Sequence, residues 1–294
     1  MSGEGATTES WTVRKVLEWT IGYLRQNGSE SPRLDGEILL AHARGCRRIQ
    51  LYTQYDEPLT EAQRSTMRDL VRRRVAHEPV AYLVGRREFF SLEFVVTRDV
   101  LIPRPDTESL VMAALDLLKV RTSARVLDLC TGSGCIAIAV ARNARQAQVV
   151  GVDVSPAAAS VARQNVERLE VTERVQILEG DLFGPVAGQK FDVIVSNPPY
   201  ITTAEMQALD PEVRQHEPHL ALHGGADGLD FIRQIVAESG QSLEPNGWLL
   251  LELDPAQATP VTWLLKSAGF VNVSVINDLA GSARVVKGQL AVHQ

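Results

Sequence analysis

The sequence predicts an α/β protein built on a doubly wound, mostly parallel sheet, with a small helical domain ahead of it and a β-hairpin joining the two. Three observations predict this. From Arg125 onward, short apolar runs alternate with longer amphipathic stretches, the pattern of strands joined by crossover helices. A glycine-rich loop, Asp128-Leu129-Cys130-Thr131-Gly132-Ser133-Gly134, joins the first run to the first helix, and Asp153 ends the second run. Residues 11–75 instead carry apolar side chains at helical spacing. The expected boundaries are 1–85 for the helical domain, 86–105 for the hairpin linker and 106–294 for the sheet domain.

Residues 1–9 are small and polar and are expected to be disordered. Val13, Val16, Leu17, Ile21 and Leu24 form a helical stripe that Asn27-Gly28 ends. Pro32 opens a second helix, with Leu34, Ile38, Leu39 and Ala41 inward, closing near Gly45. Thr60 with Gln63 reads as a capping box for a third, whose core face is Met67, Leu70, Val71 and Val75. Within it, Arg72-Arg73-Arg74 reads as a solvated face. Phe90, Leu92, Phe94 and Val96 then alternate with Ser91, Glu93 and Val95, which places a hairpin at Arg87 to Thr97. In Leu101-Ile102-Pro103-Arg104-Pro105-Asp106-Thr107-Glu108, Arg104 is held extended between prolines. Asp106 and Glu108 then start a helix through Leu118, where acidic side chains favour the helix dipole.

Seven strands follow: Val126 to Leu129, Val149 to Val152, Val175 to Leu178, Phe191 to Val195, Trp248 to Leu253, Val271 to Ile276 and Val285 to Val292. Helices are expected at Ala137 to Ala144, Pro156 to Leu169, Asp230 to Leu243 and Val261 to Ala268. Gly132, Gly134 and Ala137 satisfy a loose dinucleotide fingerprint, and Asp153 follows about 20 residues on, where a ribose-binding acid belongs. Nicotinamide cofactors and S-adenosylmethionine both carry that adenosine ribose, so this region alone does not separate them.

The fourth strand ends in Ser196-Asn197-Pro198-Pro199-Tyr200. Two adjacent prolines have no N–H to donate, so the chain leaves the sheet here with a stiff backbone. The Asn197 side-chain oxygen and the neighbouring Pro198 carbonyl are two acceptors at a strand's carboxyl end, where open α/β sheets bind ligands. Two acceptors suit a planar NH2 group, and Tyr200 offers a flat face for stacking. A hydride-transfer enzyme has no use for such a clamp. An amino-methyltransferase needs a methyl donor and an amine holder on one sheet edge.

Composition narrows the guest. The 294 residues are 45% hydrophobic and 22% charged, with a formal net charge of −6. No global basic field favours nucleic acid. The three cysteines, Cys46, Cys130 and Cys135, form neither a disulfide framework nor a zinc motif, which fits a reducing, cytoplasmic setting. Cys130 and Cys135 are expected to be small buried thiols. His216, His219 and His223 are spaced like ligands, but Pro218 and Gly224-Gly225 break any helix that would align them, so no metal is expected. The N-terminus lacks the basic start and apolar core of a signal peptide, and no apolar run has the length of a membrane span.

Asn197-Pro198-Pro199-Tyr200 after a strand resembles the motif of S-adenosylmethionine-dependent amino-methyltransferases. With Ile102 to Glu108, Asp128 to Gly134, and Glu217-Pro218 leading to His223-Gly224-Gly225-Ala226-Asp227-Gly228-Leu229, residues 75–290 resemble the protein-(glutamine-N5) methyltransferases of peptide-chain release factors. The resemblance implies a seven-stranded class I methyltransferase sheet, a role in translation termination, and a helical domain that helps grip the release factor. It implies Asn197, Pro198, Pro199 and Tyr200 as the catalytic set. It implies Cys130, Thr131, Gly132, Ser133, Gly134, Asp153, Asp181, Leu182 and Asn197 around S-adenosylmethionine, with Asp181 and Leu182 lining the adenine. The substrate would be the glutamine of the release factor's Gly-Gly-Gln loop, met by a monomeric enzyme. The sister enzyme for a large-subunit ribosomal protein shares most of these features, but Asp278-Leu279-Ala280-Gly281 and Arg284 to Gly288 look more like the release-factor enzyme. A DNA amino-methyltransferase, a non-catalytic binding module and a nicotinamide oxidoreductase are the remaining alternatives. Two departures stand out. Asp106 replaces the family's usual Glu. Leu253-Asp254-Pro255-Ala256-Gln257 replaces a run with a glycine near 254, where Asp254 and Pro255 would start a helix.

Overall fold

The computed structural model describes residues 10–278 and 280–291. The expected disorder of residues 1–9, and the expectations that fall on Leu279 and Val292, lie outside the described residues. The chain divides into two units, with the boundary between Gly85 and Arg86.

The first unit is helical. Helix Val13–Gln26 starts where the Thr12 hydroxyl accepts the Lys15 N–H at 3.4 Å. Pro32–Arg44 opens on its proline and closes on Gly45, whose φ of 64° is the left-handed cap that glycine adopts without strain. Glu61–Val75 begins with the capping box, Thr60 and Gln63 each bonding the other's backbone N–H. Two shorter helices, Arg48–Thr53 and Val80–Val84, were not expected, because so few residues show no periodicity. Val13, Leu17, Leu24, Leu39, Leu40, Leu51 and Leu70 form the core.

Two expectations are corrected in this unit. Leu34 is exposed; the buried face of its helix carries Asp35 and Glu37. Nor is Arg72-Arg73-Arg74 a plain solvated face. Arg72 pairs with Asp69 in solvent, but Arg73 grips the buried Glu78 at 2.7 and 2.8 Å, and Arg74 meets Asp35 at 2.8 Å with both side chains largely buried. Burial would raise the Glu37 carboxyl, but hydrogen bonds from Tyr52, Arg48 and Arg33 outweigh it and hold the group low.

The second unit opens with a hairpin, β1 (Arg86–Phe89) against β2 (Leu92–Val95), with Phe89 opposite Leu92. Phe90, expected within a strand, is instead in the turn: Phe90 and Ser91 have φ of 50° and 59°, the mirror-image turn whose twist matches a two-residue hairpin. Phe89 and Phe94 are buried in this unit's core beside Leu110 and Val111.

The remaining strands are β3 (Ala124–Leu129), β4 (Ala147–Asp153), β5 (Val175–Glu179), β6 (Phe191–Ser196), β7 (Leu243–Glu252), β8 (Phe270–Asn277) and β9 (Ala283–Leu290). They form one sheet in the order β5-β4-β3-β6-β7-β9-β8. β5 through β7 are parallel, while β9 runs antiparallel to both β7 and β8. Helices cover both faces. Val111, Ile138 and Val166 pack on one side, and Ile232, Ile235, Val261 and Leu265 on the other. The strand order reverses between β3 and β6, so a crevice opens at their carboxyl ends. Among the described residues, no helix is long and apolar enough to cross a membrane.

Candidate active site

One cleft at that switch point collects residues from seven stretches of the chain. Cys130 and Gly132 come from the loop after β3, Asp153 and Ser155 from the end of β4, and Asp181 and Leu182 from the turn after β5. Asn197 and Pro199 come from the exit of β6, and Asp99 to Leu101 from the segment after the hairpin. Pro218, Leu220, Ala221 and Phe231 complete the wall. Of the twelve positions expected from sequence, seven line this cleft, while Thr131, Ser133, Gly134, Pro198 and Tyr200 do not.

The five that stand back build the frame. The buried Thr131 hydroxyl donates to Asp128 Oδ2 at 2.6 Å, and the Ala137 N–H reaches the same oxygen at 3.1 Å. Gly151 leaves room for this turn, since a Cβ there would stand 2.9 Å from Thr131 Oγ1. Gly134 has a φ of 78° and lies against Ala162, as close loop-to-helix packing requires. The Ser133 carbonyl accepts from Asn165, and Pro198 is buried. The Tyr200 carbonyl accepts from Gln257 Nε2 at 2.9 Å.

The cleft's polar groups face inward under constraint. Asp153 accepts the Gly132 N–H at 2.8 Å on one oxygen and the Ser155 N–H at 3.0 Å on the other. Burial raises its carboxyl above the ordinary value, and those two donors oppose the rise. Burial pushes the Cys130 and Cys135 thiols up to about 12, so both stay protonated at neutral pH. Cys130 and Leu182 hold φ of 59° and 39°, a left-handed backbone that is costly for side chains of this kind and concentrates at functional sites. Asn197 donates from Nδ2 to the Thr107 hydroxyl at 3.2 Å.

Stretches far apart in the chain converge on this edge. Glu217, buried, accepts the Ile102 N–H at 3.2 Å and pairs with Arg104. Arg284 meets Asp106 at 3.0 Å and Asp278 at 3.3 Å. Asp254 caps a short helical turn by accepting the Ala256 N–H at 2.9 Å. His223 lies 2.9 Å from the Thr203 hydroxyl, and His219 lies 3.2 Å from the Arg214 carbonyl. Leu101 and Pro218 sit inside the sequence motifs without a role of their own there, and nothing local in the sequence marks Leu220, Ala221 or Phe231 as lining residues. Their placement depends on the return of the 211–231 segment to the corner after β6, where Ile201 bridges His223.

A switch-point cleft with a glycine loop, an acid after the second strand and an amide-bearing corner after the fourth defines a class I methyltransferase. The family described as PrmC N-terminal domain matches residues 15–85, and that described as Methyltransferase small domain matches residues 104–225. A release factor glutamine methyltransferase of Geobacter sulfurreducens is 49% identical over 282 residues, covering 96% of this chain and 98% of the relative. One of Rhodopirellula baltica is 47% identical, covering 98% and 99%. A methyltransferase structure from Pyrococcus furiosus, at 20% identity and a TM-score of 0.52, covers 69% of this chain and 91% of that one and shares the fold. The chain belongs to the release factor glutamine methyltransferase family.

Proposed function

We propose that this protein transfers the methyl group of S-adenosylmethionine to the side-chain amide nitrogen of the glutamine in the Gly-Gly-Gln loop of peptide-chain release factors. The observation that carries the reading is the single cleft holding Gly132 and Asp153 together with Asn197 and Pro199. The relatives' names supply the substrate.

The residues present fit the cofactor. A Cβ at Gly132 would meet nothing within 4 Å, so the loop leaves open space on its cleft side. Each Asp153 oxygen takes one backbone N–H and keeps a lone pair for a ribose hydroxyl. Asp181 and Leu182 would flank the adenine. When bound, S-adenosylmethionine supplies an electrophilic methyl group.

The chain's own residues do the rest. An amide nitrogen is a poor nucleophile because its lone pair is delocalised into the carbonyl. Asn197 Oδ1 and the Pro198 carbonyl would accept the two N–H groups of the glutamine. They aim the nitrogen and favour the positive charge that develops on it. Pro199 and Tyr200 would pack against the side chain, and holding the reacting atoms in line supplies further acceleration. No side chain need remove a proton first.

The test is methyl transfer from labelled S-adenosylmethionine to a purified release factor, the large-subunit ribosomal protein and duplex DNA, with the methyl located by mass spectrometry. Label on the Gly-Gly-Gln glutamine supports the reading. Label only on the ribosomal protein keeps the chemistry and replaces the partner, and label only on DNA replaces the guest of the clamp.

A further inference from the structure

The Asn197 side chain can serve as an acceptor only if its amide faces one way. Turned over, it would offer NH2 to the substrate's NH2, two donors with nothing to accept. What sets that facing lies behind the residue, on two other elements.

β6 and β7 are parallel neighbours with Ser196 opposite Leu251, so Asn197 and Glu252 leave the sheet side by side. Thr107 comes from the turn before helix Glu108–Leu118 and is buried against them. Asn197 Nδ2 donates to Thr107 Oγ1 at 3.2 Å. A hydroxyl that accepts there still has one hydrogen to place, and the Glu252 carboxyl alongside, whose buried Oε2 has no hydrogen-bond partner among the described residues, is the acceptor placed to take it. Glu252 is 1% exposed. An ionised carboxylate has no hydrogen to give, so the direction of the chain is set at that end.

We propose that Thr107 and Glu252 are positioning residues that fix the orientation of the Asn197 amide, holding its NH2 inward and leaving Oδ1 for the substrate. The proposal rests on the reading of Asn197 as an acceptor for a substrate amide. Neither residue touches substrate; both act through Asn197. Burial pushes the Glu252 carboxyl up to about 7, and the neighbouring Thr107 hydroxyl opposes that rise. Arg284 and Arg104 also favour its ionised form, while Asp106 disfavours it.

Two readouts test it on the full-length enzyme. The first is steady-state transfer to a release factor at pH 8, with S-adenosylmethionine binding measured separately by calorimetry. Thr107→Val keeps the shape and loses the hydroxyl. It is expected to lower kcat about tenfold, the equivalent of one net hydrogen bond, while cofactor affinity and KM stay near wild type. Thr107→Ser is expected to restore most of the rate, and Glu252→Gln to lose less than the valine variant, because its amide still offers one acceptor. The second readout is solvent exchange of the Asn197 side-chain NH2 by NMR, its signal identified by its loss in Asn197→Ala. Exchange should be slow in wild type and in Thr107→Ser, and fast in Thr107→Val.

Wild-type kcat and slow exchange in Thr107→Val would overturn the proposal. So would a serine variant as slow as the valine one, since the methyl group and not the hydroxyl would then be acting. If the wild type methylates no release factor while Thr107→Val still loses exchange protection, the substrate reading fails and this inference stands.

Discussion

Asn197 carries the heaviest expectation at the scale of single residues. Asn197→Ala removes an acceptor from the site of developing charge, and methyl transfer should fall on the order of 10²–10³-fold. Isothermal calorimetry should show cofactor affinity nearly unchanged, because Asp153 and the 130–134 loop are untouched. Asp128 carries a different one. It is fully buried, and burial pushes its carboxyl from 3.8 up to about 7. Between those values the folded protein holds a proton that the unfolded chain has released, so stability falls as pH rises through the window. The displacement corresponds to roughly 4 kcal/mol across it. Asp128→Asn is neutral throughout, and its Tm should drop less than wild type between pH 5.5 and pH 8. An equal drop in both proteins would remove Asp128 as the cause.

Elements are tied together here by single polar side chains and by tight glycines. Asn165, fully buried on helix Pro156–Arg168, bonds the Val95 N–H at 2.7 Å, the Val95 carbonyl at 3.0 Å and the Ser133 carbonyl at 2.9 Å. It therefore clips the hairpin and the glycine loop to one helix. Asn165→Ala leaves buried backbone groups without partners and should cost about 2–4 kcal/mol, read from urea unfolding. The His223 to Leu229 stretch backs the Asn-Pro-Pro-Tyr corner. A Cβ on Gly228 would stand 2.2 Å from the Tyr200 carbonyl oxygen, and one on Gly224 2.6 Å from that of Pro199. Gly228→Ala must push the corner out of place, so kcat should fall at least tenfold with cofactor binding kept. A wild-type rate in that variant would show that the corner tolerates the shift.

For the whole molecule, ligand linkage gives the simplest measurement. S-adenosylmethionine at 100 times its Kd should add about 2.7 kcal/mol of stability, seen as a rise in Tm, while NAD should add none. A net charge of −6 predicts no retention on immobilised duplex DNA at moderate salt. Retention there would point to a local basic surface that composition conceals.

The alternation of strands and helices, the glycine loop, Asp153 and the double-proline corner were all legible in the sequence, because each depends on local chemistry: backbone freedom, a missing N–H, or a periodicity. The capping box at Thr60 and the Asp254–Pro255 helix start were legible for the same reason. Pairings between distant residues were not. Leu34 read as core until the buried carboxylates of Asp35 and Glu37 displaced it, and Arg74 read as solvated until Asp35 faced it. Phe90 read as strand until its left-handed backbone made it a turn. The contact of Thr107 with Asn197 spans 90 residues, and no local pattern encodes it. Local composition determined which groups this protein has for chemistry. Only the tertiary structure decided which way they face, because facing is set by partners that the fold, and not the chain order, brings alongside.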